Sequence, residues 1–185
     1  MTRLLGISGA LRRGSHNAAL LRAATRLMPV DSTLEVASIR GIPLYDGDVE
    51  AQGIPAAVAQ LKDAVASADG VLLVTPEYNN SIPGVFKNAI DWLSRPPADV
   101  KRVFSGRAFA VIGASPGNFG TTLSQAAWLP VLRTLGTHAW FGGRLAVARA
   151  GNVFDESGNL KDAAIEEQLK QFLAGYVAFV RRSHP

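Results

Sequence analysis

Cysteine is absent from the 185 residues. That excludes disulfides, thiolate nucleophiles, iron–sulfur clusters and cysteine-ligated zinc. It suits a cytoplasmic protein. Histidine is scarce, at three residues, and no two have metal-ligand spacing, so no metal is expected. No apolar run approaches the roughly 20 residues that a membrane helix needs, so no membrane partner is expected. The opening stretch MTRLLGISGALRRGSHN carries one charge ahead of a short apolar run, which glycines 9 and 14 interrupt. It has the form of neither a signal nor a transit peptide. Repeats and low-complexity tracts are also missing. The basic excess is small, 19 − 15 = +4. Arg12 and Arg13 are adjacent, as are Arg181 and Arg182, but no long basic stripe follows. Nucleic acid is therefore not the expected partner, and a small anionic ligand suits the charge.

What is present describes a folded globule. Hydrophobic residues make up 48% and charged residues 18%. The length suggests one domain, residues 1–185, with a core large enough to need no staples. Strand-like and helix-like stretches alternate. Residues 3–8 read as a buried strand, 15–28 as a helix stopped by Pro29, and 33–39 as an alternating strand. Pro43, Gly47 and Gly53 mark residues 41–55 as a loop. An alanine-rich helix over 55–69 leads to GVLLVTP, a continuous apolar strand of the kind buried on both faces. A helix over 83–93 and a fourth strand over 107–115 follow. The helix over 121–135 must tolerate Pro130, the fifth strand within 137–147 is interrupted by Gly142 and Gly143, and a terminal helix covers 162–182. This is a βαβ pattern, which predicts an α/β parallel sheet with helices on both faces. The first choice is a flavodoxin-like three-layer sandwich, with a five-stranded sheet of order 2-1-3-4-5. A Rossmann half is the second.

Such sheets bind ligands outside the carboxyl ends of their strands, where the strand order reverses. Three unusual loops would share that rim: GALRRGSHN after strand one, PEYNNSIP after strand three and SPGNFGT after strand four. The first leads into a helix whose free N–H groups and partial positive charge suit phosphate, and Arg12 can bind phosphate bidentately. It is not a Walker loop, because Ser15 and His16 stand where lysine and Ser/Thr are required, and G-x-G-x-x-G is absent. In the second loop Asn79 and the backbone can bond a heteroatom-rich ring, and Tyr78 can pack on it. Asn79 and Asn80 are equally good turn formers. Ser81 and Pro83 look structural. The third loop contains GASPG, which fits a nucleophile elbow with Ser115 as nucleophile. The next residue, Pro116, lacks the N–H that an oxyanion hole needs. A hydrolase would also require Asp155 or Glu156 and His184. The alternative is a backbone loop that Gly117 and Gly120 allow close to a flat ligand. His138 reads as structural, and Trp92, Trp128 and Trp140 as core or interface residues.

At these loops the sequence resembles the NADPH-dependent FMN reductase family, which includes chromate and quinone reductases and related azoreductases. GALRRGSHN resembles the family pattern GSLR…S.N, PEYNNSIPGVFKNAIDW resembles PEYN.S.PG.LKNAIDW, and SPGNFGT resembles SPG..G. Ala10 departs from a common serine and Phe86 from a common leucine. The resemblance implies bound FMN and NADPH or NADH as hydride donor. The acceptor would be small: a quinone, an azo compound, a metal oxyanion or free flavin. Arg12, Ser15, His16 and Asn17 would hold the phosphate, with Ala10 contributing its backbone N–H. Pro76, Glu77, Tyr78 and Asn79 would line the ring, and Ser115 and Gly117 would complete its site. No protein side chain is expected to be catalytic. A homodimer or homotetramer is implied, with the helix after PEYN at an interface. The rival readings are a flavodoxin-like electron carrier, which the basic charge and Arg12 oppose, and a serine hydrolase using Ser115.

Overall fold

The computed structural model describes residues 1–183 of the chain. In order, the elements are β1 (Thr2–Ser8), α1 (His16–Arg26), β2 (Ser32–Ala37), α2 (Gly47–Ala51), α3 (Ala56–Ser67), β3 (Gly70–Val74) and α4 (Gly84–Leu93). A 3₁₀ turn at Pro97–Asp99 and α5 (Val100–Val103) lead to β4 (Ala108–Ala114) and α6 (Thr122–Thr134). The chain continues through β5 (His138–Ala139), β6 (Ala146–Val147), α7 (Ala150–Val153) and α8 (Ala163–Ser183).

All strand pairings in this sheet are parallel, in the order β2-β1-β3-β4-β5, with β6 also on β4. The flavodoxin-like order expected from the alternation is therefore observed. Strand alternation divides the core in two. Leu4, Leu72, Ala110 and Ile112 pack under α1 and α8 with Leu20, Leu173 and Tyr176. Leu5, Ile7, Val71, Leu73 and Phe109 face α3, α4 and α6 with Val65, Phe86, Trp92 and Trp128. At roughly 1.5–3 kcal/mol for each large apolar side chain buried, these two layers are the main stabilising term.

Two details differ from the sequence expectation. The fifth strand is two short pieces, β5 and β6, and the sheet has six strands. The chain leaves β4 between them, and Trp140 turns onto α8, its ring 4.8 Å from Phe172 and 5.6 Å from Tyr176. The loop at 41–55 contains α2, which Asp46 caps by accepting from the Asp48 N–H. Pro130 does lie inside α6, where it removes the donor that would bond the Ala126 carbonyl.

Two of the largest buried polar side chains are partnered. The Tyr176 hydroxyl lies 2.8 Å from the Val71 carbonyl and 2.9 Å from that of Ala108, and burial pushes the phenol well above its ordinary pKa. The Lys62 ammonium, 1% exposed, pairs with Asp99 at 2.8 Å and donates to the Arg95 carbonyl.

Candidate functional site

Because the strands are parallel, the loops after β1, β3 and β4 leave the same edge of the sheet, and the order reverses between β1 and β3. The Gly9 N–H bonds the Val74 carbonyl and the Thr75 N–H bonds the Ile112 carbonyl, so the three strand ends are locked side by side.

The first loop ends at the N-terminus of α1. Ser15 is the N-cap: its hydroxyl accepts from the N–H groups of Asn17 (3.2 Å) and Ala18 (3.3 Å). Arg12 and Arg13 are exposed, and Ala10 is half-buried. The His16 ring stacks on Phe154 with centroids 5.8 Å apart. Its partial burial, with the Arg12 charge nearby, holds the imidazole below its ordinary pKa. Asn17 is 3% exposed. Its carboxamide accepts from the Ala114 N–H and donates to the Ala114 carbonyl, both at 2.8 Å. The side chain is thus a bolt between α1 and the end of β4, and what it leaves for an anion is its backbone.

The second loop is a tight hairpin. Tyr78 and Ser81 exchange backbone hydrogen bonds of 3.1 and 3.0 Å, with Asn79 and Asn80 between them at φ 49° and 61°. Two central residues with positive φ make a type I′ geometry, which asparagine tolerates. Tyr78 stands 47% exposed beside this turn. Pro76 is buried. Glu77 turns its carboxylate away to the start of α6, where Oε2 accepts from the N–H groups of Leu123 (2.8 Å) and Ser124 (2.9 Å). An anion there is favoured by the helix dipole.

Beneath this loop lies a group that sequence reasoning did not assemble. The Thr75 hydroxyl donates to the Pro76 carbonyl, receives the Trp128 indole N–H at 3.2 Å and contacts the Ser124 hydroxyl at 2.9 Å. These residues are separated by about fifty positions, so spacing alone carried no signal.

The third loop presses close. A Cβ on Gly113 would lie 2.0 Å from the Thr75 carbonyl oxygen, and one on Gly120, at φ 63°, 2.6 Å from that of Ala146. Both positions require glycine. The Ser115 hydroxyl accepts from the Gly117 N–H at 3.1 Å. Of the hydrolase partners, Asp155 is held in its own turn by Asn159, whose backbone and side-chain bonds lower its pKa. His184 lies outside the described residues.

The rim fits a phosphate-bearing flat ring. At the end of β1 the buried Ser8 hydroxyl has no partner among the described residues, and the loop that follows carries two exposed arginines to the N-terminus of α1. A helix N-terminus, exposed guanidiniums, an exposed aromatic and two backbone loops are the donor set such a group needs.

Residues 2–152 match the family described as NADPH-dependent FMN reductase. An NAD(P)H-dependent FMN reductase of Pseudomonas aeruginosa is 44% identical over 180 residues, covering 97% of this chain and 96% of that protein. A 2-hydroxy-1,4-benzoquinone reductase of a Burkholderia species is 36% identical over 175 residues, covering 95% and 94%. Among solved structures, the flavoenzyme NAD(P)H:(acceptor) oxidoreductase FerB from Paracoccus denitrificans aligns over 99% of both chains, at 31% identity and a TM-score of 0.88. With the family match spanning all three loops of the rim, and relatives above 30% identity along nearly the whole length, the chain belongs to the NADPH-dependent FMN reductase family.

Proposed function

We infer that the protein is an FMN-dependent NAD(P)H oxidoreductase that passes electrons on to a small acceptor, a quinone or free flavin. The observation that carries this reading is the convergence of an arginine-bearing helix N-terminus, the Tyr78 hairpin and the glycine-held loop after β4 on one edge of the sheet. FMN held there supplies hydride acceptance and onward electron transfer, chemistry that no side chain of the chain can supply.

The chain's own residues bind and orient. The backbone of residues 10–17 and the Arg12 guanidinium receive the phosphate, with Ser15 fixing the cap and His16 beside it. Asn17 and Glu77 contribute through backbone and position, since their side chains are committed to Ala114 and to α6. Pro76, Tyr78 and Asn79 form one wall of the ring site, and Ser115 and Gly117 the other. FMN held by these residues would serve donor and acceptor in turn. Azo compounds and metal oxyanions are further acceptors that the reading admits. Assembly as a homodimer or homotetramer belongs to the proposal. It is supported by the exposed apolar residues Leu44, Tyr45 and Val85 beside α4. The inward residues of α4, Phe86, Ala89, Ile90, Trp92 and Leu93, are buried within the chain itself.

Initial rates with NADPH and 1,4-benzoquinone test the reading. Parallel double-reciprocal lines, and an Arg12→Ala variant that needs more FMN for half-maximal rate, are expected. Protein with bound FMN that does not oxidise NADPH or NADH would instead be an electron carrier.

A further inference from the structure

Among the described residues, four other than glycine hold a positive φ: Asp31, Asn79, Asn80 and Arg149. Asparagine and aspartate visit the left-handed region at little cost, because their short polar side chains bond locally. Arginine has no such device, yet Arg149 sits there at φ 47° and ψ 44°. Strain of this kind persists where the surrounding structure over-determines it. Here the surrounding structure is the loop after β4. The Arg149 N–H bonds the Gly117 carbonyl at 2.9 Å, and the next N–H, that of Ala150, bonds the Ser115 carbonyl at 3.0 Å. A left-handed residue followed by a helical one turns successive N–H groups to the same side, which is what these two bonds require.

The side chain adds a third tie. Its Nε donates to Asn118 Oδ1 at 3.0 Å, and among the described residues Asn118 is the guanidinium's one hydrogen-bond partner. The sequence holds no Asp or Glu between positions 100 and 154, so no neighbour along this stretch of chain draws the charge into an ion pair. The two ends of the loop are fixed without Arg149. The Ser115 N–H bonds the Val147 carbonyl at 3.0 Å, and Gly120 packs against Ala146. Its middle is different. Residues 116–119 are exposed, so bonds rather than burial hold them. Asn118 makes no other hydrogen bond among the described residues, and the Gly117 carbonyl accepts only from Arg149.

We propose that Arg149 is a positioning residue for the flavin: its left-handed backbone and its guanidinium together hold residues 117 and 118 in the form that receives the ring. The role rests on the flavin reading above and adds to it a residue from outside the three rim loops. A wall fixed in advance spares the ordering cost that a loose, exposed loop would meet on binding.

The test compares Arg149→Ala, Arg149→Gly, Arg149→Lys, Asn118→Ala and the double variant Arg149→Ala, Asn118→Ala. Two quantities are read: the melting temperature of FMN-free protein, and the FMN dissociation constant from ultrafiltration. Glycine relieves the backbone strain and alanine keeps it, so Arg149→Gly should melt above Arg149→Ala. FMN affinity should not follow that order. Both variants should lose about fivefold, the scale of one solvent-exposed hydrogen bond. Arg149→Lys, which can still donate to Asn118, should recover more than half of the loss. Asn118→Ala should lose a similar amount, and the double variant little more than either single one, since both act through one contact. Unchanged affinity in Asn118→Ala, or losses that add in the double variant, would make Arg149 a direct ligand and overturn the positioning role. Affinity that tracks melting temperature across the set would also overturn it, leaving a role in stability alone. A parent chain that takes up no FMN would refute the flavin reading and this role with it. A parent that binds FMN while the variants match it would refute this role alone.

Discussion

Replacing Asn17 by alanine separates two roles for that residue. A phosphate ligand would be lost without much effect on the empty fold. The structure instead ties the carboxamide to both backbone groups of Ala114, 97 positions away, at 2.8 Å each. Truncation leaves a buried N–H and a buried carbonyl without partners. At about 1–3 kcal/mol for each unsatisfied group, the cost is about 2–6 kcal/mol. For a domain of this length each kcal/mol shifts Tm by roughly 2–4 °C, so the FMN-free protein should melt at least about 4 °C lower. Asn17→Asp adds a sign test. An ionised carboxylate accepts from the Ala114 N–H but opposes the Ala114 carbonyl, whereas the protonated acid satisfies both. Its folded pKa is therefore raised above the ordinary carboxylate value by burial and by the carbonyl. The folded state then binds the proton more tightly, and the variant's deficit against the parent should shrink as pH falls from 7 through that raised value. Thermal melts of FMN-free protein at pH 7 and pH 5 decide. An Asn17→Ala variant with unchanged Tm and weakened FMN binding would refute the bolt and restore the side chain as a phosphate ligand.

Other outcomes follow from the same geometry. Glu77→Ala should lower Tm by several degrees, since two N–H groups of α6 lose a charged acceptor, while Glu77→Gln, which still accepts, should recover more than half of that loss. Tyr176→Phe removes a hydroxyl held between two strand carbonyls and should cost about 1–2 kcal/mol in denaturant unfolding, with FMN affinity unchanged. His16 sits below its ordinary value of 6.5, so the unfolded chain binds its proton more tightly. Its contribution to stability is complete above that value and is lost as pH falls towards the folded one. Melts of FMN-free protein between pH 7.5 and 5 should therefore slope less in His16→Gln. Bound phosphate ester, which favours the imidazolium, should flatten the slope of the parent.

The layout of the molecule was readable because period and punctuation are local. GVLLV is buried on both faces and Ser15 caps α1, as their residue types demand. The positive φ of Asn79 and Asn80 was available in the same way, from their value as turn formers. What was not readable is tertiary. Nothing near Asn17 announces Ala114, and nothing near Glu77 announces α6, so residue type pointed at the ligand where geometry commits the side chain to the scaffold. The split of the fifth strand was hidden because two-residue ladders carry no period, and α2 because five residues show no apolar face.

The account rests on the rim holding FMN in a form that NAD(P)H reduces. The direct measurement is the visible spectrum of the protein with added FMN, before and after anaerobic NADPH and then NADH. The account predicts perturbed flavin bands that bleach rapidly with at least one donor and return on adding a quinone. Bands identical to those of free FMN, or bound bands that neither donor bleaches, would contradict it.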